Sequence, residues 1–123
     1  MQRDRRIGER VDIEPMHLSW MPFTTQIHEG RRTRPQPASL VELSVTGARV
    51  LSRSPRRIEV GTWMDVDVDG HCGVVEVRRI AEAKEPSAVV YGVAFVTLEP
   101  TLRARIDETI AAQLERDFET SPR

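Results

Sequence analysis

The chain has 123 residues, 39% of them apolar and 30% charged, and a formal net charge of −1. That is one domain with a single modest core, too short for a two-domain enzyme. A near-neutral balance argues against broad DNA or RNA binding, whose usual footprint is an overall basic domain. No run approaches the eighteen or so apolar residues of a membrane span, and the charge-crowded start carries no secretory signal. A lone Cys72 rules out an intramolecular disulfide and fits a reducing, cytoplasmic setting.

The balance hides an asymmetry. Residues 1–60 hold eleven arginines against seven carboxylates, whereas residues 61–123 hold seven basic against twelve acidic residues. Seventeen of the eighteen basic residues are arginine, and Lys84 is the only lysine. A guanidinium offers planar paired donors suited to a phosphate or a guanine edge. A GC-rich genome would raise arginine as well.

Residues 1–10, MQRDRRIGER, read as an exposed, flexible arm rich in arginine. A β-barrel is expected over 11–98. Val11, Ile13, Leu18 and Trp20 alternate with polar residues around Pro15, the pattern of an edge or bulged strand. Residues 21–37 carry three prolines, Gly30 and Arg31, Arg32 and Arg34, and read as a loop or an irregular hairpin tip. Those arginines are either a solvated face or a ligand contact. Ala38–Leu43 and Ala48–Leu51 read as short strands separated by a Ser44–Gly47 turn. Thr62–Val68 has period two, with Val66 and Val68 opposite Asp65, Asp67 and Asp69. Asp69-Gly70 is a two-residue hairpin signal, because a type I′ turn needs positive φ at both central positions. Cys72–Ile80 and Ser87–Phe95 complete about six short strands, the mark of a small antiparallel barrel or sandwich.

The end of the chain changes period. Pro100 suits a first helical position, and Leu102, Ile106, Ile110, Leu114 and Phe118 recur every four residues. A C-terminal helix is expected over 99–118, followed by a disordered tail, 119–123. Its apolar stripe packs on the barrel or meets a partner helix, in which case a homodimer is possible.

Few residues carry chemistry. Asp65 to Glu76 satisfies the twelve-position spacing of a calcium loop, with acids at positions 1, 3, 5 and 12 and Gly70 at 6. Such a loop joins two helices, however, and valines alternate here on both sides of the turn, so no metal is expected. His71 and Cys72 are adjacent and would point to opposite faces of a strand. No zinc spacing, catalytic triad or phosphate loop is legible among His17, His28, His71 and Cys72. No enzyme is expected, and no catalytic residue is assigned.

One ordered set of motifs is more specific. Arg6-Ile-Gly-Glu-Arg10 spaces two arginines four apart, with Arg5 just before them. Glu42-Leu-Ser44-Val-Thr-Gly47 follows some thirty residues later. Tyr91-Gly-Val-Ala-Phe95 then leads into the helix at Pro100. In order and spacing this resembles the PilZ domain family, whose signatures are R-x-x-x-R, [D/N]-x-S-x-x-G and a late G-[V/I]-x-F strand. The resemblance covers about residues 3–118.

The resemblance implies an all-β fold, a six-stranded antiparallel barrel with a C-terminal α-helix. It implies a receptor for cyclic di-GMP, a bacterial second messenger, with no other cofactor. Arg6 and Arg10 match R-x-x-x-R, and Arg5 matches the position that influences ligand stoichiometry. Ser44 and Gly47 match the second motif, while Glu42 stands where the family has Asp or Asn. Binding would order the arm and present a surface to a protein partner. The other reading is a PilZ-type interaction module that does not bind cyclic di-GMP.

The residue chemistry supports such a ligand independently. Arginine pairs with guanine O6 and N7, forks onto phosphate and stacks over a ring. A carboxylate at position 42 can accept from guanine N1–H and N2–H. The Ser44 hydroxyl would serve a phosphate or fix the turn, and Gly47 would allow positive φ and close backbone approach.

Overall fold

A computed structural model describes residues 10–23, 34–53 and 58–120. These residues form six strands and one helix: β1 (Val11–Pro22), β2 (Gln36–Leu43), β3 (Gly47–Ser52), β4 (Trp63–Val68), β5 (His71–Glu82), β6 (Val89–Leu98) and α1 (Pro100–Thr120). The strands close into a barrel in the order β1-β2-β3-β6-β5-β4. Every neighbouring pair is antiparallel.

Alternation drives the closure. Leu18 and Trp20 of β1, Ala38, Leu40 and Leu43 of β2, and Val50 of β3 point inward and are buried. Met64, Val66 and Val68 of β4, Val75 and Val77 of β5, and Tyr91 and Val93 of β6 complete the interior. Trp20 and Tyr91 meet edge-on, with ring centroids 5.3 Å apart. At one mouth of the barrel, α1 inserts Leu102, Ile106 and Ile110, all buried. Leu114 is partly buried against the same core, and Phe118 at the far end of the stripe is 71% exposed. The helix therefore packs on the barrel through the first three turns of its stripe.

Residues 21–37 are less irregular than their prolines imply. Met21 and Pro22 belong to β1, and Gln36 and Pro37 to β2, opposite Trp20 and Ser19. β2 pairs with β3 only from Ser39 onward, so a residue without an N–H is tolerated on that open side. Pro15 falls where β1 and β2 slip register, between Asp12 and Met16, and β1 pairs with β4 only from Ser19. Its missing donor thus costs no ladder bond. β1 is bulged as expected. It is not an edge strand, because its second half closes the barrel against β4. The segment 24–33, with Arg31 and Arg32, lies outside the described residues, as do the arm residues 1–9 and residues 121–123, whereas Glu119 and Thr120 of the expected tail belong to α1. Arg34 is exposed.

The β4–β5 connection is the hairpin that Asp69-Gly70 signals. Both residues have positive φ, 52° and 87°. Asp67 accepts a 2.8 Å hydrogen bond from the Gly70 amide, which fixes the turn. Asp67 is therefore a turn-former. Among the described residues no cluster of His, Cys, Asp or Glu could hold a metal ion.

Two bulges matter for the outer surface. Leu40 and Val50 are partners, and so are Glu42 and Arg49, which leaves Val41 as an extra residue in β2. Val77 pairs with Val93 and Arg79 with Gly92, which leaves Arg78 as an extra residue in β5. Strict alternation from Leu40 and Val77 would turn Glu42 and Arg79 into the core. The bulges re-aim both outward, one of the known uses of a bulge. Both re-aimed side chains reach the same concavity.

Candidate functional site

A concavity with a volume of about 550 Å³ lies on the outer wall of β2, β3, β6 and β5. That is within the roughly 300–1,000 Å³ range of small-molecule sites. Strand register builds its floor. Glu42 pairs with Arg49, Arg49 with Gly92, and Gly92 with Arg79. These four residues make one row across four strands. Because residue 92 has no side chain, the row opens into a notch between two arginines. A Cβ at Gly92 would sit 3.3 Å from the Arg79 Cβ.

Four cationic side chains line the concavity, Arg10, Arg49, Arg78 and Arg79, against the carboxylates of Glu42 and Glu82. Glu42 is 15% exposed at its side chain, and its Oε1 lies 3.6 Å from Arg49 Nε and 3.9 Å from Arg10 Nε. Both contacts are longer than a hydrogen bond, and Arg10 is 60% exposed. Such pairs contribute at most about 1 kcal/mol each. An incoming anion can therefore take over these guanidinium groups at little cost. Arg78 is partnered by Glu76 at 3.4 Å, on the rim.

The Ser44–Gly47 turn forms the end wall. The Ser44 amide donates to the Gly47 carbonyl at 2.9 Å. The Ser44 hydroxyl donates to the same carbonyl at 3.2 Å and accepts from the Gly47 amide at 3.1 Å. Ser44 is buried, and its one hydroxyl proton is engaged inside the turn. Of the two roles expected for it, the geometry supports fixing the turn over serving a phosphate. Gly47 also needs one correction. Its φ is not positive, since only Gly61 and Gly70 among the described glycines adopt such values. Glycine is required at 47 because β6 comes so close that a Cβ would lie 2.2 Å from the Val93 carbonyl oxygen.

Of the residues singled out in the sequence, Arg10, Glu42, Ser44 and Gly47 converge on this concavity. Arg5 and Arg6 lie outside the described residues. Arg49, Arg79 and Gly92 belong to the same surface and were not anticipated. Leu40 and Leu43, spaced three apart, are the visible trace of the bulge that turns Glu42 outward. The pairing of Arg49 with Arg79 across Gly92 depends on β3 and β5 both flanking β6, which no local pattern shows.

No family model and no curated protein matches the chain by sequence. Solved structures do resemble it in fold. YcgR in complex with c-di-GMP, from Escherichia coli, superposes with a TM-score of 0.60 at 16% identity, over 90% of this chain and 46% of that one. The Bacillus subtilis inhibitor of motility, MotI/DgrA, gives 0.64 at 11% identity, over 99% of this chain and 55% of that one. The PilZ domain of Escherichia coli YcgR with c-di-GMP gives 0.63 at 13% identity, over 90% and 92%. The chain thus spans about half the length of the first two proteins and nearly all of the isolated domain. The fold is PilZ-like: a closed six-stranded antiparallel barrel with one C-terminal helix.

Proposed function

We propose that this chain is a PilZ-type receptor for cyclic di-GMP, without enzymatic activity of its own. The observation that carries the reading is the glycine-floored notch, flanked by Arg49 and Arg79 and walled by Arg10, Glu42 and the Ser44–Gly47 turn. The ligand offers two phosphates and two guanines. Guanidinium groups address both, through bidentate forks to phosphate and to guanine O6 and N7. A flat base suits the space that Gly92 leaves open, with an arginine available to stack on its face. Once a phosphate draws Arg10 and Arg49 away, the Glu42 carboxylate is released to accept from guanine N1–H and N2–H. The extra methylene of Glu42 relative to Asp is offset by its place at a bulge, where the side chain is aimed from the strand wall.

Arg5 and Arg6 supply the remaining contacts from the arm, closing over the ligand from the side opposite the barrel. Ordering the arm creates a surface for a protein partner, through which the signal passes in the cytoplasm. No helix among the described residues is long and apolar enough to cross a membrane.

The reading is tested by titrating cyclic di-GMP into isotope-labelled protein and following backbone amides. The expected result is saturable shifts centred on Gly47, Arg49, Arg79 and Gly92, with the β4–β5 turn at Gly70 unmoved. Shifts absent at hundred-micromolar ligand, or centred on another surface, would overturn it and favour the ligand-free interaction module.

A further inference from the structure

The Ser44–Gly47 turn is held from behind as well as from within. Its inner residues, Val45 and Thr46, have carbonyls that take no part in the Ser44–Gly47 hydrogen bonds. Arg103 Nη1, from the first turn of α1, donates to the Val45 carbonyl at 2.9 Å. The Phe95 amide of β6 donates to the Thr46 carbonyl at 2.9 Å. The two anchors are themselves coupled, since the Arg103 guanidinium lies over the Phe95 ring, 5.3 Å from its centroid. Asp107, one turn along the helix, sits 3.4 Å from the same guanidinium nitrogen and helps to aim it. A helix side chain therefore reaches 58 residues back in sequence to a carbonyl of the turn whose Ser44, Thr46 and Gly47 line the concavity.

From this geometry we infer that Arg103 is a positioning residue: it holds the Ser44–Gly47 turn in its binding shape and couples the seating of α1 to the ligand wall. The coupling to ligand rests on the receptor reading above, whereas the hold on the turn does not. Arg103 touches no ligand in this scheme and does not line the concavity. A lysine could donate one hydrogen bond to Val45 but could not lie flat on Phe95 while doing so. Linkage is reciprocal, so a ligand that tightens the turn also tightens the seating of α1.

The test uses the full chain with Arg103→Gln, Arg103→Lys and, as a control, Arg105→Gln. Arg105 binds Asp69 at 2.6 Å, on the hairpin side of the same helix end, so its loss loosens the helix without touching the turn. The first readout needs no ligand: hydrogen exchange at the Ser44 and Gly47 amides, with Val77, bonded to Thr62, as an internal reference. Arg103→Gln is expected to speed exchange in the turn at least tenfold and leave Val77 unchanged. Arg103→Lys falls between, and Arg105→Gln matches wild type. The second readout is affinity for cyclic di-GMP, expected to fall about tenfold, or 1.4 kcal/mol, in Arg103→Gln only.

Unchanged turn exchange in Arg103→Gln, or equal changes in Arg105→Gln, overturns the inference. Faster exchange with undiminished affinity overturns the coupling to ligand. Faster exchange in a protein whose wild type binds no cyclic di-GMP upholds the positioning role and defeats the receptor reading instead.

Discussion

Replacing Gly47 by alanine separates two reasons for a glycine. The new Cβ would lie 2.2 Å from the Val93 carbonyl oxygen, and real Cβ atoms essentially never come within 3.0 Å of such an atom. The obstacle is backbone, so β3 and β6 must part by roughly an ångström. Forced overpacking costs about 1–3 kcal/mol. The parting also strains the Ser44–Gly47 hydrogen bonds and the Phe95–Thr46 bond, each contributing about 1 kcal/mol. With those bonds weakened rather than lost, at about 1–2 kcal/mol together, a total of roughly 3–4 kcal/mol follows, a large share of the ~5–15 kcal/mol that holds a domain folded. At this chain length that lowers the Tm by about 12–15 °C.

Gly70→Ala is the comparison. Nothing lies within 4 Å of a Cβ there, but φ is 87°, so the cost is conformational, about 1–2 kcal/mol. Thermal melts, checked by urea unfolding at constant m, should rank Gly47→Ala as clearly the more damaging. A Gly47→Ala protein that melts at or above Gly70→Ala would refute the close-approach account of the turn.

Four further outcomes follow from the same geometry. Arg49→Ala and Arg79→Ala should each weaken cyclic di-GMP about tenfold or more, with Tm within about 2 °C of wild type, and Gly92→Leu should block binding by filling the notch; calorimetry and melting together check this. Burial raises the Asp65 carboxyl above its ordinary value of 3.8, so the fold favours its protonated form. That contribution is complete below the unfolded value and is lost as pH rises through the folded one, so Asp65→Asn should melt above wild type at pH 7 and match it near pH 3. Burial, the Glu99 carboxylate and the neighbouring Asp67 all raise the Cys72 thiol, so alkylation at pH 8 should lag behind a free thiol and accelerate in Glu99→Gln. Ile106→Ala should cost about 2–5 kcal/mol in urea unfolding, whereas Phe118→Ala should stay within about 0.5 kcal/mol.

The fold was legible wherever one local rule decides an outcome. The Asp69-Gly70 turn, the period-two run through Val66 and Val68, and the four-residue stripe from Leu102 to Ile110 each appear as read. The prolines misled at 22 and 37, because each sits where its strand has a partner on one side only. The barrel itself came from the family resemblance, because its closure through β1 and β4 is a long-range pairing with no local trace.

The site divided in the same way. Arg10, Glu42, Ser44 and Gly47 were visible as an ordered motif, and the structure gathers them at one concavity. Arg49 and Arg79 were not, because their meeting across Gly92 depends on β6 lying between β3 and β5. Gly47 was read as allowing positive φ and close backbone approach; the structure shows a close approach to β6 and no positive φ.

The central claim is that the outer wall of β2, β3, β6 and β5 binds cyclic di-GMP. Calorimetric titration of the nucleotide into wild type and into Arg10→Ala/Arg49→Ala tests it most directly. The account predicts micromolar binding in the wild type and none in the double variant at an unchanged fold. No heat from the wild type at hundred-micromolar ligand, or equal affinity in both proteins, would contradict it.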